Sequence, residues 1–164
     1  IIPTCETYGI KLALHPDDPL WSIFGIPRIV IKLDNLRRIL NLNPSPSHGL
    51  TICTGSLGIH PENDVIHIIQ ELHDRIHFVH LRNLKTLGSG KFEETAHLSC
   101  DGDLDIYNIL KTLYDYGYDG CMRPDHGRAI WGELAMPGYG LYDQALGSAY
   151  MDGLWEAISK SNPK

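Results

Sequence analysis

Four residues able to bind a metal close four short, mostly apolar runs. KLALH ends on His15, LTIC on Cys53, IHFVH on His80 and CMRPD on Asp125. These end residues lie 38, 27 and 45 positions apart, about the length of a strand–loop–helix–loop unit. A parallel sheet gathers the C-terminal ends of its strands along one edge, where α/β proteins build their sites. Two imidazoles, a thiolate and a carboxylate brought together there suit Mn²⁺, Fe²⁺ or Zn²⁺, and the soft sulfur argues against Mg²⁺ or Ca²⁺. Taken singly, His15 reads as a surface histidine and Cys53 as an ordinary buried thiol. The turn and polar residues that follow each strand end are what make the pattern a candidate site. CTGSLG after the second run reads either as a plain turn or as helix amides near a substrate carboxylate.

PDHGR at 124–128 is the densest polar cluster. Asp125 and His126 are adjacent, so on an extended backbone they point opposite ways. Both reach one site only if the strand ends there and the chain turns, which Gly127 permits. His126 then suits general acid or base work near neutral pH, and Arg128 suits bidentate capture of a carboxylate. His80 is followed by Arg82 and Asn83. Tyr139, between Gly138 and Gly140, reads either as a phenolic acid/base or as a packing residue. Most of the remaining histidines, His48, His60, His67, His73, His77 and His97, read as surface.

The elements that must position these groups alternate. Residues 10–14, 50–53, 76–80 and 120–124 read as strands. Residues 34–42, 62–73 and 103–116 read as helices, with Val65, Ile68, Ile69 and Leu72 on one stripe of the second. A closing helix over 141–159 carries two internal glycines, which weaken it. The 81–102 stretch reads as the longest irregular connection, a length often tied to function or mobility. Four strand–helix alternations imply an α/β fold with a parallel sheet. Either an open doubly wound sheet or part of a (β/α)₈ barrel satisfies this. No GxGxxG follows the first strand, which counts against a dinucleotide fold. A whole barrel takes about 250 residues, so 164 residues suffice for half of one.

Bulk composition narrows the partners. A chain of 164 residues with 43% hydrophobic and 21% charged residues suits a single globular domain over 1–164. The net charge of −6 and the lack of a Lys/Arg-rich face argue against nucleic acid and favour a small-molecule substrate. No run of about 20 apolar residues predicts a membrane span, and no signal-peptide pattern is visible. Four widely spaced cysteines without a CxxC pair read as free thiols in a reducing cytoplasm.

HPDDPLWSIFGIPRIV, LTICTGSLG, IHFVHLRN, MRPDHGRAIWGE and PGYGLYDQALG resemble the C-terminal half of the mannonate dehydratase family, over about residues 10–158. The resemblance implies a parallel (β/α) barrel of the TIM type, related to xylose isomerase, of which this chain covers about the C-terminal half as four βα units. It implies metal-dependent dehydration of D-mannonate to 2-keto-3-deoxy-D-gluconate in hexuronate breakdown, with Mn²⁺ or Fe²⁺ as cofactor. It assigns His15, Cys53, His80 and Asp125 as metal ligands, His126 and Tyr139 to proton transfer, and Arg82, Asn83 and Arg128 to the substrate's surroundings. Met136 stands where the family pattern implies a basic residue. A half-barrel exposes two sheet edges, so a second copy or an N-terminal half-barrel is the expected partner. Two other readings stay open beside the lyase. One is another metal-dependent sugar isomerase or epimerase barrel, and the other is an inactive half-barrel that holds metal without turnover.

Overall fold

A computed structural model describes residues 1–162. Its strands are β1 Leu12–Leu14, β2 His48–Cys53, β3 Ile76–Leu81, a hairpin of β4 Leu84–Gly88 and β5 Lys91–Glu94, and β6 Cys121–Pro124. Its helices are α1 Ile2–Tyr8, α2 Leu33–Leu40, α3 Thr54–Gly58, α4 Val65–Leu72, α5 Ile106–Asp115 and α6 Leu141–Ser161. Four strands form one open sheet in the order β1-β2-β3-β6, and every pairing in it is parallel. The architecture is therefore α/β, and the described strands do not close into a barrel.

Local chemistry explains where the helices begin. Asp64 caps α4 by accepting from the backbone N–H of Ile66 and His67 at 2.9 and 3.1 Å. Asp105 caps α5 by accepting from Asn108 N–H at 3.1 Å. Each such cap contributes about 1 kcal/mol, and each helix starts three residues later than the apolar pattern alone predicts. Gly117, at φ 78°, follows the end of α5, a backbone conformation that favours glycine.

The helices cover one face of the sheet. Leu50 and Ile52 of β2 and Val79 and Leu81 of β3 are fully buried, in one core with Ile68, Ile69, Ile109 and Leu110 of the helices. Each such side chain contributes about 1.5–3 kcal/mol. Alternation sends the other residues to the opposite face. Register sets Thr51 beside Phe78 and Phe78 beside Cys121 there, then Cys53 beside His80 and His80 beside Arg123. Phe78 is only half-buried and Cys121 is exposed.

Three expectations are corrected. The 81–102 connection contains the β4–β5 hairpin, whose Gly88 and Gly90 both take positive φ at the turn. Its strands are short and mostly polar, so they lack a strong apolar alternation. Two of the histidines expected mostly at the surface are covered to different degrees. His77 is half-buried, with its Nδ1 2.8 Å from the Leu12 carbonyl, and His97 is only 2% exposed. His97 also explains why α6 runs unbroken through Gly147. A Cβ at Gly147 would lie 2.6 Å from the His97 ring, so the glycine makes room for the imidazole.

Candidate metal centre

The C-terminal edge of the sheet brings His15, Cys53, His80 and Asp125 together. His15 directly follows β1, Cys53 ends β2, His80 is the penultimate residue of β3, and Asp125 directly follows β6. One donor atom from each lies within 4.8 Å of the others. His15 Nε2 is 3.2 Å from His80 Nδ1, His80 Nδ1 is 3.2 Å from Asp125 Oδ1, and Cys53 Sγ is 3.5 Å from Asp125 Oδ2. Donors bound at about 2.0–2.3 Å from one ion must sit about 3–4.5 Å apart, so this spacing and this mixed donor set fit a transition metal.

Neighbouring groups aim the donors. His15 Nδ1 lies 2.6 Å from the Pro16 carbonyl; it donates there and leaves the Nε2 lone pair facing the cluster. Ser56 Oγ donates to Cys53 Sγ at 3.1 Å. Burial pushes the Asp125 carboxyl up, but the His80 hydrogen bond and the charges of His80 and Arg123 outweigh it and hold the carboxyl well below the usual range. Burial pushes His80 down, and its bonds with Asp125 and Cys53 more than offset this.

His126 stands beside the cluster, and the backbone of Tyr139 is bridged to the residue that follows His126. β6 ends at Pro124, so the chain turns and both Asp125 and His126 face the same region. His126 Nε2 is 3.8 Å from Asp125 Oδ2. The segment around Tyr139 is bridged to Gly127: Gly127 N–H donates to Gly138 O at 2.9 Å, and Gly140 N–H donates to Gly127 O at 2.8 Å. A Cβ at Gly127 would lie 2.1 Å from Gly140 O, so only glycine permits this approach. The Tyr139 side chain is exposed.

The polar groups of Arg82, Asn83 and Arg128 are engaged within the protein. The Arg82 guanidinium is 2% exposed, pairs with Asp18 at 2.6 Å, and forms a fork on Glu94. Asn83 holds the loop after β5. Its amide donates to the Leu98 and Leu104 carbonyls, and its Oδ1 accepts from the Leu84 and Leu104 N–H groups. Arg128 does grip a carboxylate bidentately, but the carboxylate is that of Asp143 in α6, at 2.9 and 3.1 Å. Glu94 is the group that the sequence reading misses, with its Oε1 2.9 Å from His126 Nδ1. Burial pushes the Glu94 carboxyl up, yet its bonds with His126 and Arg82 leave it lowered. Met136 is exposed. A cleft of about 460 Å³ is lined by Trp21 and the hairpin's Phe92, and none of the cluster residues lines it.

A parallel α/β sheet with nitrogen, sulfur and oxygen donors converging on its C-terminal edge defines a candidate metal-site protein of the α/β class. Comparison with known proteins narrows the class. The family model described as D-mannonate dehydratase (UxuA) matches residues 1–164. The mannonate dehydratase of Brachyspira hyodysenteriae is 56% identical over 160 residues, which is 98% of this chain and 45% of that protein. The mannonate dehydratase of Thermotoga maritima is 54% identical over 162 residues, again 98% and 45%. The crystal structure of mannonate dehydratase from Streptococcus suis serotype 2 superposes with a TM-score of 0.95 at 47% identity, covering all of this chain and 48% of that one. A xylose isomerase domain protein from Planctomyces limnophilus, at 16% identity and TM-score 0.70, shares the fold. The chain belongs to the D-mannonate dehydratase family, and it spans just under half the length of these relatives.

Proposed function

We propose that the chain is the metal-carrying half of a (β/α)₈ barrel that dehydrates D-mannonate to 2-keto-3-deoxy-D-gluconate, a carbon–oxygen lyase step in hexuronate breakdown. The observation that carries this reading is the four-donor cluster with His126 at its edge, in a chain of this family. His15, Cys53, His80 and Asp125 would hold Mn²⁺ or Fe²⁺, and a free thiol ligand suits a reducing cytoplasm. When bound, the cation would supply Lewis acidity toward substrate oxygens and the developing enediolate.

The remaining chemistry falls to side chains. Dehydration takes the proton from C2 and the hydroxyl from C3, and the enol so formed becomes the 2-keto acid. The C2 proton is weakly acidic and hydroxide leaves poorly, so the step needs one base and one acid at fixed places. His126 and Tyr139 are the pair for these two transfers. The Gly127–Gly140 bridge holds their segments together, and the exposed phenol is accessible to substrate. Arg82, Asn83 and Arg128 would shape the substrate's surroundings through the groups they hold, Glu94, the loop after β5 and Asp143.

A second reading is favoured by one observation. The inner face of the sheet is partly open, with Cys121 exposed, so metal binding without turnover is the expected behaviour where nothing covers that face. A second copy, or an N-terminal half-barrel, would provide the cover. Incubation with Mn²⁺ and D-mannonate beside Cys53→Ala separates the readings. Product that requires both Mn²⁺ and Cys53 supports the dehydratase. Bound metal without product supports the uncovered half-barrel. Metal content unchanged by loss of both His15 and Cys53 would overturn the site.

A further inference from the structure

We propose that Glu94 is a positioning residue for His126, accepting its Nδ1–H so that Nε2 faces the metal cluster. The inference deepens the dehydratase reading and rests on it for the step that His126 performs. The geometry of the pair stands apart from that reading.

An ionised carboxylate can only accept hydrogen bonds. With Glu94 Oε1 2.9 Å from Nδ1, the proton of a neutral His126 ring must be on Nδ1. The other ring nitrogen then lies on the cluster side, 3.8 Å from Asp125 Oδ2. An unconstrained histidine side chain favours the opposite tautomer, Nε2–H, which would present a donor rather than an acceptor to the cluster. A buried carboxylate that fixes an imidazole's tautomer and orientation is a recurring device of catalytic sites.

Glu94 is itself held. Arg82 Nε lies 3.1 and 3.0 Å from its two oxygens. Arg82 is fixed in turn by Asp18 at 2.6 Å and by the Phe92 ring, whose centroid is 5.3 Å from the guanidinium carbon. Thr54 locks the Arg82 backbone from both sides, accepting its N–H at 2.9 Å and donating to its carbonyl at 2.7 Å. The hairpin brings the carboxylate to this place: Glu94 is the last residue of β5, in register with Leu84, and Asp103 accepts from Thr86 N–H at 2.7 Å to anchor β4. A structural ion pair between Arg82 and Glu94 alone would not require His126 to share the same oxygen.

The test reads the tautomer directly. Long-range ¹H–¹⁵N correlation spectra of the chain, ¹⁵N-labelled at histidine, would be recorded both metal-free and loaded with diamagnetic Zn²⁺. The wild-type protein should show His126 as Nδ1–H. Glu94→Ala should shift the ratio at least several-fold toward Nε2–H. Glu94→Gln, whose amide oxygen can still accept, should retain Nδ1–H, as should Asp18→Asn, which weakens the same ion cluster without touching His126. A wild-type ring that carries its proton on Nε2 and none on Nδ1 overturns the proposal whether or not any variant folds. An unchanged ratio in a folded Glu94→Ala protein overturns it as well. In turnover of D-mannonate, Glu94→Ala should lower kcat about 10–100-fold with KM within about twofold. A wild-type chain that makes no 2-keto-3-deoxy acid counts against the dehydratase reading, and the tautomer ratio still decides the role of Glu94.

Discussion

Cys53 is fully buried at the end of β2, and the Ser56 hydroxyl donates to its sulfur. That bond offsets charge on a thiolate and orients it toward the other donors. Ser56→Ala should therefore weaken Mn²⁺ binding about tenfold, and Cys53→Ala by more than about 100-fold, as read by calorimetric titration. Equal affinity in wild type and Cys53→Ala would remove the sulfur from the site. The four donors were legible in the sequence because each ends an apolar run, and a parallel sheet turns that position into a shared edge. His126 was legible through the strand end at Pro124. Glu94 and Asp18 were not, because each reaches the site from a long connection. Nothing about a Glu in KFEE, taken alone, says which arginine or histidine it will meet. The burial of His97 is hidden from the sequence for a similar reason: it depends on Gly147, fifty positions away.

Among the elements, the 126–128 and 138–140 segments depend on backbone approach rather than side-chain packing. A Cβ at Gly127 would meet the Gly140 carbonyl, and one at Gly140 would meet the Arg128 carbonyl at 2.0 Å. Backbone cannot swing aside as a flexible side chain can. Gly127→Ala should cost about 1–3 kcal/mol, seen as a lower urea midpoint with an unchanged m value, and should separate Tyr139 from His126. A Gly127→Ala protein as stable as wild type would mean that the bridge is dispensable. The strands and main helices were readable from apolar runs and stripes, and their limits shifted where Asp64 and Asp105 act as caps. The hairpin escaped notice because its short strands carry Lys, Thr, Glu and Gly, so turn residues were the main clue.

For the whole molecule, acid is the expected weakness. Burial lowers the His97 pKa from 6.5, so the folded protein favours the neutral ring. That contribution is fully present above about 6.5 and is lost as pH falls below it, because the unfolded chain then binds a proton more readily. Stability measured by urea unfolding at pH 7.5 and pH 5.5 should fall more for wild type than for His97→Phe, and an equal fall would reject His97 as a source. At lower pH a second loss follows. Burial raises Asp143, but its Arg128 bonds hold it below the ordinary carboxylate value of 3.8, so this pair's contribution disappears as pH drops through the depressed range. The open sheet makes a separate prediction. A polypeptide matching the first half of a relative should raise the Tm of this chain when mixed with it, and an unchanged Tm would count against the half-barrel reading. The parallel sheet was legible from strand–helix alternation; the choice between an open and a closed sheet was not, because no local pattern records what lies beyond an outer strand.

One consequence follows from the ligands coming from four different strands. An ion bound to residues 15, 53, 80 and 125 would close three successive loops at a single point and tie every strand of the sheet to the others along one edge. Cross-links of this kind restrict the unfolded chain more than the folded one. Metal uptake would then act as a keystone: the sheet accepts the ion fully only after β6 has docked, so loading would report that all four strands are in place, and chelation would loosen the same edge that the chemistry uses.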